Sequence, residues 1–172
     1  MKFLFRILRR LVGYLLGVLL VALIAAAATF GWQGYKLYQN AVQATPLETL
    51  YQSITARPSF VPYDQLPQTY INAVLSVEDS RFVHHHGVDP LSIARALWAD
   101  LRSGTLAEGG STITQQLAKN VYFTQEKRMA RKAAEVFAAL DIEKHYSKQE
   151  IFEMYVNTIY FGNGCYGVAE AA

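Results

Sequence analysis

The sequence predicts a mainly α-helical domain behind a single N-terminal membrane-spanning helix. Three observations carry that prediction. Residues 11–35 hold no charged side chain and are dominated by Leu, Val, Ala and Ile. Beyond residue 63, apolar side chains recur at helical spacing and capping residues open several of the stretches. No alternating apolar and polar run of useful strand length interrupts them.

At about 1.5 Å of rise per residue, roughly 20 apolar residues cross the hydrocarbon core of a bilayer, so the first stretch is long enough. Lys2, Arg6, Arg9 and Arg10 precede it with no acidic residue among them, which keeps the N-terminus inside and sends the rest outward. A cleaved signal peptide is the alternative, with the alanine run 25–28 as its cleavage site. Its apolar region is usually only about 7–15 residues, so an uncleaved anchor fits better. Phe30, Trp32 and Tyr35 fall where an outer interfacial belt belongs.

Composition narrows the function classes. The 52% hydrophobic content is inflated by the anchor, and the formal net charge of +2 by the basic tail. Setting aside those four of the 16 basic residues leaves 12 against 14 acidic ones, so the electrostatic footprint of a nucleic-acid binder is missing. The single cysteine, Cys165, has no partner for an internal disulfide, which argues for an ordinary packed core rather than a stapled scaffold.

The chain divides into a basic tail (1–10), the anchor (11–35), a juxtamembrane connector (36–62) and a domain from 63 onward. Pro46, Pro58 and Pro62 punctuate the connector, whose periodicity is weak. Pro67 suits a first helical turn, and Tyr70, Ile71, Val74, Leu75 and Val77 give a stripe ending near Glu78. Asp89-Pro90 reads as an N-cap with proline at the first helical position, opening a helix through about Leu101. Gly104 and Gly109-Gly110 bound a loop, and Ser111-Thr112 begins another helix through about Val121. Residues 128–145 form a long helical candidate with Val136, Phe137 and Leu140 on one side. Ser147 with Glu150 is a capping box for a helix from Lys148 to about Asn157.

Four clusters suggest chemistry. Glu78-Asp79 ends one helix beside Arg81, Phe82 and three consecutive histidines. Aromatic and histidine neighbours would partly desolvate a carboxylate and suit it to proton transfer; a solvated helix end is the plainer account. Adjacent histidines do not converge on one ion, and no spaced ligand set accompanies them, so zinc is not expected. In Gly109-Gly110-Ser111-Thr112-Ile113-Thr114-Gln115-Gln116 the glycines allow close backbone approach to a ligand, and the helix start presents free N–H donors. Its hydroxyls and carboxamides suit a sugar or phosphate, although a capped loop explains the spacing equally well. No Gly-Lys-Ser/Thr follows, which excludes a nucleotide P-loop. Lys119, Lys127, Arg128, Arg131 and Lys132 crowd together as cations for an anionic group, or as a solvated helix face. Arg131 and Glu135 stand four apart on a shared face, as a surface pair or as a carboxylate held beside a cation in a site.

From about residue 63 onward these clusters together resemble the peptidoglycan glycosyltransferase domain of monofunctional transglycosylases and class A penicillin-binding proteins. The matching blocks are Glu78-Asp79-Ser80-Arg81-Phe82-Val83-His84-His85-His86-Gly87, then Gly109-Gly110-Ser111-Thr112-Ile113-Thr114-Gln115-Gln116-Leu117-Ala118-Lys119-Asn120. Arg131-Lys132 with Glu135 form the third, and Lys148 through Ile151 to Tyr155-Val156-Asn157 the fourth. Four ordered blocks behind an anchor make a specific signature.

The resemblance implies a lysozyme-like helical fold with a cleft near the bacterial cytoplasmic membrane. It implies lipid II and the nascent glycan chain as substrates, membrane lipid as surroundings, and other cell-wall synthesis proteins as candidate partners. Under it, Glu78 is the general base and Glu135 a second glutamate stabilising the donor and departing pyrophosphate. A divalent cation (Mg or Mn) is a candidate cofactor there, and no organic cofactor is expected. Lys119, Arg131 and Lys132 would line the phosphate region. Asp79, Arg81, Phe82, His85, Gly110, Ser111, Thr112, Gln115, Gln116, Asn120, Lys127, Arg128 and Asn157 are expected to bind substrate. Lys127 departs from the family, which usually has arginine there and gains a planar fork from it. The family domain also runs on into further helices after the position of Ala172, so the chain is expected to be C-terminally truncated. Two other functions compete: a muramidase-like hydrolase and a non-catalytic fragment that binds lipid II or the wall.

Overall fold

The computed structural model describes residues 2–104, 109–123 and 129–172, with side chains from Phe5 onward. The first helix, α1 (Lys2–Ala44), has 43 residues and is about 65 Å long by helical rise, twice what a bilayer core needs. Its residues 5–30 are exposed on every side. A helix apolar all round and buried against nothing is suited to lipid.

The connector expected from residue 36 is instead helical. α1 continues unbroken to Ala44, and α2 (Leu47–Thr55) follows after a short break. The continuation docks on α6 (Met129–His145). Gly34 allows a close approach: a Cβ there would stand 2.5 Å from Ala133 Cβ and 2.8 Å from the Ala130 carbonyl. Beyond it Tyr35 sets its ring edge against Phe137 at 5.4 Å, rather than serving only an interfacial belt. Tyr38 lies beside the same phenylalanine and hydrogen-bonds Asp141. A contact face made of a glycine and tyrosines has little apolar periodicity, which is why it reads as a connector. α2 buries Leu47, Leu50 and Ile54, an i, i+3, i+7 stripe.

α3 (Gln68–Glu78), α4 (Pro90–Ser103), α5 (Ile113–Tyr122) and α7 (Lys148–Val156) keep the expected limits to within one or two residues. Asp89 caps α4 through the Leu91 N–H, and Gly104 ends it in the left-handed conformation. Both capping-box bonds are present at Ser147 and Glu150. α7 lies at the centre of the core, with 151–156 all buried. Phe152 shares one buried cluster with Leu50, Ile54, Phe82, Leu117 and Ile142.

A two-stranded hairpin, β1 (Tyr160–Gly162) with β2 (Cys165–Tyr166), follows α7, and α8 (Val168–Ala171) follows the hairpin. Strands this short carry no alternation to read. The turn itself is the one signalled by glycine, since Gly162, Asn163 and Gly164 all have positive φ.

Candidate active site

Glu78 is the last residue of α3, and Asp79 is its C-cap. The two carboxylates go opposite ways. Asp79 is buried, and its Oδ2 accepts from the Ile113 N–H at 3.0 Å and from His85 Nε2 at 2.9 Å. Ile113 opens α5, so a carboxylate sits on a helix N-terminus where free N–H groups favour it. That bond staples the end of α3 to the start of α5. In consequence Glu78, which is exposed, stands beside Gln116 one turn further along, and Gln116 Nε2 donates to its Oε2 at 2.8 Å.

The start of α5 is held from three directions. Thr112 Oγ1 donates to the Gly87 carbonyl at 2.6 Å and accepts from the Gln115 N–H, while the Gln115 carboxamide returns a bond to the Thr112 N–H. This second capping box was legible as Thr112-x-x-Gln115, and the glycine reading of that stretch obscured it. Gly110 does make a close approach, but to α4: a Cβ would lie 3.2 Å from Ile93 Cα.

Glu135 projects from α6 and is buried, with Arg131 Nε at 3.2 Å and Lys132 Nζ at 3.1 Å. Lys132 Nζ also donates to Ser111 Oγ at 2.6 Å, tying α6 to the segment leading into α5. A cavity of about 400 Å³ joins these groups. Glu78 stands on its wall with Val77 and Gly109; Ser111, Gln115, Gln116 and Lys119 line the α5 side; Arg131, Lys132 and Glu135 line the α6 side. One pocket thus offers an exposed carboxylate, Lys119, and two further cations paired with a buried second carboxylate. Such a site can take a proton from a hydroxyl and hold an anionic group.

Several expected substrate ligands lie elsewhere. Phe82 is in the core, with the Lys148 ammonium 4.4 Å from its ring centroid, and His85 is buried against Asp79. Both turn away from Glu78, because the chain folds back through a 3-10 turn at Phe82–His84. Desolvation of Glu78 by these neighbours is therefore not what the structure provides. Arg81 Nε pairs with Asp89 Oδ2 at 3.0 Å. Burial pushes Asp89 up, but bonds from Ser92 and the Leu91 and Ser92 N–H groups, with the Arg81 charge, leave it below the ordinary carboxylate value. Asn157 caps α7 and bonds both the N–H and the carbonyl of Val61. Asn120 is half-buried on α5 and does not line the cavity. Lys127 and Arg128 lie outside the described residues. Tyr155, quoted only as part of a motif block, proves to touch the site: its hydroxyl donates to Gln116 Oε1 at 3.2 Å.

The sequence model of a family described as Transglycosylase matches residues 44–172. The chain belongs to the transglycosylase family. The match begins at the end of α1 and takes in α2, so the transglycosylase domain extends further upstream than the motif blocks alone indicate. The fold is mainly α, in the lysozyme-like helical class expected of this domain. The chain is 46% identical over 112 residues to penicillin-binding protein 1F of Bacillus subtilis, covering 65% of this chain and 16% of that protein. It is 52% identical over 107 residues to penicillin-binding protein 1A of Haemophilus influenzae, covering 62% of this chain and 12% of that protein. It is 47% identical over 116 residues to a biosynthetic peptidoglycan transglycosylase of Thiobacillus denitrificans, covering 67% of this chain and 50% of that protein. The matches thus span half or less of each of these relatives.

Proposed function

We propose that this chain carries the glycosyltransferase site of a membrane-anchored peptidoglycan polymerase. It joins lipid II to a growing glycan chain in a β-1,4 link and releases undecaprenyl pyrophosphate. The observation that carries this reading is the cavity that Glu78 and Lys119 share with the Arg131 and Lys132 cations paired to buried Glu135.

In the proposed reaction Glu78 takes the proton of the acceptor 4-hydroxyl as its oxygen attacks the anomeric carbon of the donor. The new C–O bond forms on the face opposite the breaking bond to pyrophosphate, so the anomeric centre inverts. The leaving group departs as an anion and needs charge stabilisation more than a proton, which suits the cationic wall. Glu135 orients Arg131 and Lys132 and moderates their repulsion. A divalent cation fits the protein residues poorly. Both Glu135 oxygens face protein cations, and among the described residues no group of three or more His, Cys, Asp or Glu side chains gathers.

α1 supports a single-pass anchor in the bacterial cytoplasmic membrane, its basic tail inside and the domain outside. Gly34, at the end of the apolar run, meets α6 at Ala130, Ala133 and Ala134, and α6 bears Arg131, Lys132 and Glu135. The cationic wall would then lie near the headgroup level, where a lipid-linked pyrophosphate sits.

The test is incubation of the detergent-solubilised chain with labelled lipid II. Glycan polymer is the expected product. Release of cleaved disaccharides from preformed glycan would instead indicate a muramidase-like hydrolase, and binding without any product a non-catalytic fragment.

A further inference from the structure

We propose that Tyr155 is a positioning residue for Glu78, acting through the Gln116 carboxamide. The inference rests on the reading of Glu78 as the base. Three helices contribute to the arrangement: Glu78 ends α3, Gln116 lies on α5 and Tyr155 on α7. The Tyr155 hydroxyl donates to Gln116 Oε1 at 3.2 Å, and Gln116 Nε2 donates to Glu78 Oε2 at 2.8 Å.

The chemistry of the three groups gives this chain one direction. An ionised carboxylate only accepts hydrogen bonds, so it needs the amide N–H₂ facing it. A glutamine side chain has two amide orientations of nearly equal shape, and the wrong one would set its oxygen against the carboxylate. A hydroxyl that donates to Oε1 selects the right one. Tyr155 is 2% exposed, and burial, with the nearby Glu78 charge, pushes its phenol well above the ordinary tyrosine value. It therefore stays protonated and remains a donor.

Glu78 itself is exposed at a helix end, where a glutamate has several accessible rotamers. The Gln116 bond holds one oxygen, fixes the carboxylate on the cavity wall and leaves the other oxygen for the acceptor hydroxyl. Tyr155 never touches substrate in this scheme. Its effect reaches the base only through the amide it orients.

The first test needs no turnover. In the detergent-solubilised full chain, the Gln116 side-chain N–H₂ signal is identified by NMR as the one lost in Gln116→Leu. Tyr155→Phe should move that signal and narrow the separation of its two protons. Tyr51→Phe removes another part-buried hydroxyl, bonded to Glu153, and should leave it unchanged. The second test is kinetic. Losing one oriented hydrogen bond worth about 1 kcal/mol corresponds to a roughly fivefold lower kcat, with KM for lipid II little changed. In a Gln116→Leu background, Tyr155→Phe should cost nothing further. An unmoved amide signal, or a full additional loss in the double variant, overturns the relay. A wild-type chain that makes no polymer counts against the function reading, while the amide signal still decides the relay.

Discussion

At the level of single residues, two adjacent carboxylates show how chemistry and position separate. Glu78 and Asp79 share a residue class and a sequence motif. Asp79 is consumed by the Ile113 N–H and His85, whereas Glu78 projects into the cavity with one amide bond. The motif resemblance implies a base at Glu78 and a substrate ligand at Asp79, but the Asp79 carboxylate is taken up by a staple to α5, 34 residues away. The same limit applied to Phe82, His85 and Asn157, whose partners are distant in sequence. By contrast Arg131, Lys132 and Glu135 are neighbours on one helix, and their clustering was legible from spacing alone. Distinct roles for the two glutamates give distinct outcomes. Glu78→Gln keeps size and hydrogen bonding but removes the proposed base, and loss of a general base typically costs about 10²–10⁴ in rate. Turnover should therefore collapse while lipid II affinity survives. Glu135→Gln should impair donor binding as well, because it leaves Arg131 and Lys132 without their buried counter-charge. Steady-state polymerisation and equilibrium binding of both variants check the division. Near wild-type polymerisation by Glu78→Gln would remove the base assignment.

Helices with local signals were read well, and those whose signal lies in a partner were not. α4 and α7 were marked by an Asp-Pro cap and a capping box, both contained in a few residues. The second half of α1 had no such mark, since its docking face is Gly34 and the tyrosines that meet Phe137. Its sense appears only once α6 is in place. Gly34→Val tests that contact directly. The added side chain meets Ala133 Cβ and the Ala130 backbone, so the helices must separate or shift. Overpacking of this kind costs about 1–3 kcal/mol, and thermal unfolding in detergent should show it. An unchanged melting temperature would mean that α1 does not dock on α6. The cap of α4 has a pH signature. The folded-state value of Asp89 is depressed, so its stabilisation is full above the ordinary carboxylate range and is lost as pH falls through the folded value. Asp89→Asn should melt lower than wild type at neutral pH, by about 1–2 kcal/mol of stability. The difference should shrink on acidification, and a constant offset across pH would assign it to packing alone.

Across the whole molecule, one continuous helix joins the apolar N-terminal stretch to the candidate site. A helix break at residue 36 would have let the domain swing free of the bilayer. Instead α1 runs through its apolar stretch and then lies along α6, the helix carrying Glu135 and its cations. For a soluble substrate this coupling would be pointless. For the proposed lipid-linked substrate it would fix the height of the pocket above the bilayer. The proposed function requires the pocket to face outward. Lys2, Arg6, Arg9 and Arg10 lie before the apolar run, and cations flanking a span within roughly 15–20 residues set its direction. The opposite flank carries only Lys36 between residues 36 and 47. Under the proposed topology this charge asymmetry favours an N-terminus in the cytoplasm and Lys36 onward outside. A phosphatase reporter that works only outside the cytoplasm, fused after Ala172, should be active in intact cells, and a reporter that requires the cytoplasm should be silent there. Replacing the four early cations with neutral residues should weaken this bias and divide the population between orientations. If the cytoplasmic reporter alone is active with the native tail, the cavity faces the wrong compartment, and the polymerase reading fails with the topology.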